Sequence, residues 1–182
     1  MEYFMLKYSL KIMLLVLGIN VFSVSVQAEV KGLASELAVF EPYLGTWQAD
    51  FPVAEGQAPM QDVSRWERAL NGTAIRTLHS INNGMYGGES LIFWDKSQNS
   101  VVFYYFTTAG FYTQGRIDIL ESGEFVAYEE VTGSQEGITQ VKSTSRLDHT
   151  QMHVATQYLK NGQWAEPELR IYQRSTLPVV FK

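Results

Sequence analysis

Val101-Val102-Phe103-Tyr104-Tyr105-Phe106-Thr107-Thr108 is the stretch that decides the fold. Every residue in it is β-branched or aromatic. Such side chains lose rotamer freedom on a helix and pack well on a pleated surface. Ala109-Gly110 follows as a turn, and a second run of the same kind opens at Phe111. The pattern of run and turn extends in both directions. Asn71-Gly72, Asn83-Gly84, Ser97-Gln98-Asn99, Glu121-Ser122-Gly123, Gly133 to Gly137, Leu147-Asp148-His149 and Asn161-Gly162 punctuate the chain about 11 to 15 residues apart. Turns this short join antiparallel neighbours. The runs between them predict strands near 43–51, 62–71, 73–82, 85–95, 99–108, 111–120, 124–132, 138–147, 150–160 and 163–174.

A sheet of about ten such strands twists enough to close on itself, and closure removes exposed edges. The expected fold is therefore all-β, an up-and-down antiparallel barrel. Long crossovers are absent, which disfavours a Greek-key sandwich. One short helix is expected over Lys31 to Phe40, with Leu33, Leu37 and Phe40 on one face and Pro42 ending it. Within the barrel, Met152, Val154, Thr156 and Tyr158 share a strand face opposite His153, Ala155 and Gln157. Similarly, Lys142, Thr144 and Arg146 lie opposite Val141, Ser143 and Ser145. A lining of mixed polar and aromatic residues suits a container better than a solid core. The competing expectation is a filled barrel serving as a structural or interaction module.

Composition removes several function classes. The chain has no cysteine, so disulfide frameworks, thiolate metal sites and thiol nucleophiles are excluded. A net charge of -5 disfavours a nucleic-acid partner. No Gly-x-Ser-x-Gly elbow occurs. Glu129 and Glu130 are adjacent on a strand, so their carboxylates point to opposite faces and form no acid/base dyad. Gly84-Met85-Tyr86-Gly87-Gly88 opens a strand and lacks a lysine, which makes it a bulge or tight turn and not a phosphate cradle. No catalytic set emerges, and the expectation is a binding protein, not an enzyme.

Residues 1–28 read as a signal peptide. Lys7 and Lys11 flank an apolar stretch that begins at Ile12, and Val26-Gln27-Ala28 offers small residues at the two positions a signal peptidase reads. Export to a periplasm is expected, with no membrane span in the mature protein. Residues 29–42 form a helix and linker, 43–174 the barrel and 175–182 an apolar tail. That tail either covers the barrel or packs on a partner, in a monomer or homodimer.

Two segments carry a family resemblance. Tyr43-Leu44-Gly45-Thr46-Trp47 opens the first strand, and Leu169-Arg170-Ile171-Tyr172-Gln173-Arg174 ends the last. Together they resemble the calycin superfamily, in which a Gly-x-Trp on strand one is met by a basic residue of the last strand. Arg65-Trp66-Glu67-Arg68-Ala69-Leu70-Asn71-Gly72 makes the chain similar to small bacterial lipocalin-like domains of unknown function. The likeness to fatty-acid-binding proteins and nitrobindin-type barrels is more distant. A helical lid like that of the fatty-acid-binding group is missing, since a short Pro52- and Pro59-containing segment separates the first two strands.

The resemblance implies that Trp47 plugs one end of the barrel under a stacked arginine. Arg170 and Arg174 compete for that role, being on one strand face. If Arg174 is the cap, Arg170 faces a ligand. Arg170 and Tyr172 look like the carboxylate clamp of fatty-acid-binding proteins, so a small hydrophobic or amphipathic ligand bearing a carboxylate is expected inside. Arg116 and Arg76 are the second candidates for its charged end, and Phe93, Tyr104 and Phe106 for its apolar part. The nitrobindin likeness adds haem as an alternative cofactor, with mid-strand His153 as the axial ligand in preference to His79 or the turn residue His149. No other metal site is expected.

Overall fold

A computed structural model describes residues 32–51, 55–56, 59–132, 134 and 137–182. The signal peptide read over 1–28 lies outside the described residues. Eleven strands follow in chain order: β1 Gly45–Phe51, β2 Met60–Ala69, β3 Ala74–Ile81, β4 Tyr86–Asp95, β5 Ser100–Thr107, β6 Tyr112–Ile119, β7 Phe125–Glu130, β8 Ile138–Asp148, β9 Gln151–Lys160, β10 Gln163–Trp164 and β11 Glu168–Arg174. Each of β1 to β9 pairs antiparallel with its neighbour in sequence. β11 then pairs with β9 on one side and β1 on the other, where Trp47 meets Arg174. The result is a closed barrel of ten staves, with β10 as a two-residue extension beside β9.

Most strand ends fall within two residues of the sequence expectation. The clearest difference is the last run, expected to be continuous over 163–174. It breaks between Trp164 and Glu168. Pro167 lies in the gap, has no N–H for the ladder and fixes its own φ, so pairing resumes at Glu168 opposite Thr156. The hairpin before it behaves as read: Asn161 and Gly162 take φ of 52° and 79°, the left-handed pair that a two-residue turn requires.

The N-terminal helix is also corrected. It is a 3-10 helix over Ser35–Tyr43 that contains Pro42 instead of stopping before it. A repeat of three residues lines up Leu37, Phe40 and Tyr43, each at most 1% exposed. Their side chains close one end of the barrel, with Phe40 and Tyr43 edge-on to Phe125 at 5.0 and 5.1 Å. Burying each of these side chains contributes on the order of 2 kcal/mol.

At this closed end the choice between the two arginines is settled. The Arg174 guanidinium lies 3.7 Å above the Trp47 ring and donates to the carbonyls of Leu44 and Pro42. Trp47 is 1% exposed, and its Nε1 donates to the Tyr43 carbonyl at 2.7 Å. The same contact explains Gly45, whose φ is 113°. A Cβ there would stand 2.7 Å from Arg174 Nη1. The tail covers the barrel instead of projecting from it. Ser175 bonds the Thr46 carbonyl and Gln48, and Val180 N–H donates to the Ser80 hydroxyl on the outer face.

Candidate functional site

Register and burial fix which faces point inward, and a cavity fills what the inward side chains leave. It has two chambers that share Trp66, Thr77, Ser143 and Ser145 as common wall. The inner one, of about 250 Å3, is walled by Ile92, Phe103, Ile117 and Phe125 and touched by Tyr105 and Glu129. The outer one, of about 360 Å3, extends away from the helix, toward Phe51 at the end of β1 and Ile81 at the end of β3. Volumes of this order accommodate small organic ligands.

From the outer chamber runs a chain of hydrogen-bonded ionisable groups supplied by five strands. On β11, Tyr172 donates its hydroxyl proton to Asp62 Oδ2 on β2 at 2.8 Å. Asp62 Oδ1 faces His79 Nδ1 on β3 at 3.1 Å. His79 Nε2 is 2.7 Å from the Tyr105 hydroxyl on β5, which lies 3.2 Å from that of Tyr86 on β4. With a carboxylate before it, Nδ1 carries a proton. Nε2 then accepts the Tyr105 proton or, in the doubly protonated ring, donates to Tyr105, which donates on to Tyr86. Burial pushes the Tyr172 and Tyr105 hydroxyls well above the ordinary tyrosine range, the Asp62 carboxylate adding to the first and Tyr86 to the second. Both are therefore donors and not nucleophiles. Gly88 makes the arrangement fit: a Cβ there would lie 2.3 Å from the Tyr105 ring.

Arg170 stands beside this chain. Its guanidinium lies 4.3 Å over the Phe51 ring and donates to Glu168 at 2.9 Å, while Nε is buried without an acceptor. In the other chamber, Glu129 of β7 accepts from the Thr113 hydroxyl at 2.6 Å, and burial raises its pKa. A raised carboxyl pKa means that the native state holds the proton more tightly than the unfolded chain. Ionised Glu129 thus weakens the fold as pH rises through and above the ordinary carboxylate range.

Among the sequence-predicted site residues, Arg170 and Tyr172 come together in the outer chamber. The other five do not line the interior, and that expectation is corrected. Arg76 lies on the outer face between Glu67 and Glu89, held by the latter through a bidentate pair at 2.6 and 2.7 Å. Arg116 pairs with Asp118 and covers the Tyr128 ring at 4.3 Å, also outside. Phe93 and Tyr104 stack on each other at 6.4 Å on the outer surface, and Phe106 is 52% exposed beside Tyr112. Their strands supply Ile92, Phe103, Tyr105 and Ile117 to the interior instead.

His153 is a further correction. It lies between the inward-facing Met152 and Val154, so its ring points outward, 4.0 Å from Asp148. It is not placed to ligate a haem held inside. The inward histidine, His79, has both ring nitrogens engaged, so the residues present fit that group poorly. Among the described residues no three His, Cys, Asp or Glu side chains converge as a metal set.

No protein-family model matches the chain, and no curated protein matches it in sequence. The closed antiparallel barrel is consistent with the calycin-like fold implied by the Gly45-x-Trp47 and Arg174 pairing. The groups that the sequence reading passed over are Asp62 and Tyr105, with Glu129 considered only for an acid/base dyad and His79 only for haem. Their signal was present in the alternation of β2, where Asp62 and Ser64 share a face with Trp66. A buried carboxylate on an aromatic strand face marks a site more often than a core.

Proposed function

We propose that this is an exported lipocalin-like protein whose barrel binds a small amphipathic molecule. One observation carries the reading: the interior is a continuous cavity that joins an apolar and aromatic wall of Ile92, Phe103, Ile117 and Phe125 to polar groups, Arg170 among them. The ligand's apolar body lies against Ile92, Phe103 and Phe125, and its acceptor end, a carboxylate, meets Arg170. Asp62 is already served by Tyr172 and His79, whereas the Arg170 guanidinium has a single rim carboxylate. A guanidinium with unused donors is receptive to an anion. Tyr172 then acts through Asp62 and not as the ligand's direct partner. The apolar leader at 1–28 supports a periplasmic location.

Arg170→Met tests the assignment. The substitution keeps a long unbranched side chain beside Phe51 and removes the charge that stacks on its ring. Affinity for a medium-chain fatty acid should fall tenfold or more, about 1.4 kcal/mol, while that for the alcohol of equal length changes little. Equal affinities of wild type and variant for the acid would remove Arg170 from the site.

A further inference from the structure

We propose that the inner chamber is a recognition site for an organic ammonium group, with Glu129 as its counter-ion. The inference rests on the interior being a binding cavity. It concerns the chamber to which the reading above assigns only the ligand's apolar body.

Three observations converge on Glu129. First, it is an ionisable group with no cationic partner among the described residues. No Lys, Arg or His is among the described residues that line the inner chamber. Its side-chain hydrogen bond comes from Thr113, a neutral hydroxyl. The groups facing it from neighbouring strands are Thr113 and Gly115 of β6, Val141 and Ser143 of β8, and Tyr105 of β5, the last being titratable but neutral. Second, the chamber around it is aromatic. Trp66, Phe103, Tyr105 and Phe125 all contribute to its wall. Aromatic faces attract cations, and the attraction strengthens where water is excluded. Third, the space is built for this. Gly115 sits directly across from Glu129 in the β6–β7 ladder, and a Cβ there would lie 2.8 Å from the Phe103 ring. With a larger residue, that ring would be displaced from beside the carboxylate.

A buried carboxylate with no cation of its own is costly unless it is protonated or paired. Burial moves its proton affinity in the first direction. A primary ammonium supplies the second: it donates to the free carboxylate valence, and the ring attached to it packs among the aromatic walls. Combined with Arg170 at the outer chamber, the ligand class becomes a small zwitterionic or aminated amphipath, with its cationic end at Glu129.

The probe is benzylamine, with benzyl alcohol as the uncharged analogue of the same shape, titrated calorimetrically into the folded protein. Wild type should bind the amine at least tenfold more tightly than the alcohol near neutral pH. Glu129→Gln should abolish that preference and still bind the alcohol. A second measurement needs no variant. Lowering the pH should weaken benzylamine alone, as Glu129 takes up its proton, with a midpoint above the ordinary carboxylate range. Equal binding of both probes by wild type, or a preference that survives in Glu129→Gln with a flat pH profile, would overturn the ammonium site. That outcome leaves the cavity itself standing. Failure of both probes to bind wild type would overturn the ammonium site together with the reading beneath it.

Discussion

Trp47→Ala should destabilise the barrel by about 3–5 kcal/mol, the largest single effect expected in the molecule. The indole is 1% exposed and sits where four elements meet: the 3-10 helix, β1, β2 and β11. Removing it deletes the transfer energy of the largest fully buried side chain and leaves a cavity under Arg174. It also frees the Tyr43 carbonyl that Trp47 Nε1 holds at 2.7 Å. The backbone there cannot collapse inward, because Gly45 and Arg174 fix the strand ends on both sides. Thermal unfolding by circular dichroism would show a fall in Tm on the order of 10 °C. An unchanged Tm would place the side chain outside the core and contradict the closed-end assignment.

Arg174→Ala should cost about 2 kcal/mol, by loss of one cation–π stack and two donations to main-chain carbonyls. The guanidinium is partly in water, which limits its electrostatic share. Its position matters more than its charge. It ties the end of β11 to the Pro42 and Leu44 carbonyls that close the helix, so the barrel seam and its plug share one fastening. Arg174→Lys should recover less than half of the loss, since a single ammonium cannot stack flat on the indole and reach both carbonyls. Urea unfolding of the three proteins checks this, and full recovery in the Lys variant would reduce the contact to simple charge.

The strand plan was legible because its signals are local. Runs such as Val101 to Thr108 and turns such as Asn161-Gly162 specify strand and hairpin by short-range sterics, and the observed ladder follows them closely. The helix type was not legible, because Leu33, Leu37 and Phe40 also suit an α-helical stripe. Only packing over the barrel end selects the repeat that brings in Tyr43. Inside and outside were not legible for β4, β5 and β6. Phe93, Tyr104 and Phe106 on one face rival Ile92, Phe103 and Tyr105 on the other in apolar character, and parity is then decided by register around the whole closed sheet. This is why Phe93, Tyr104, Phe106 and Arg116, four of the five misplaced binding residues, fell outside. The Asp62–His79–Tyr105 chain depends on three strands meeting in register and on Gly88 leaving room, so no single segment announces it.

The central claim is that the interior is an open binding cavity. It is tested most directly by titrating an environment-sensitive fluorescent fatty acid into wild type and into Thr77→Phe. Thr77 borders both chambers, so a phenyl ring at that position occupies their common space. Wild type should give a saturable blue-shifted signal at micromolar probe, and the folded Thr77→Phe protein should lose it by tenfold or more. The same affinity in both proteins, with Thr77→Phe shown to be folded, would place the probe on the outer surface and contradict the account.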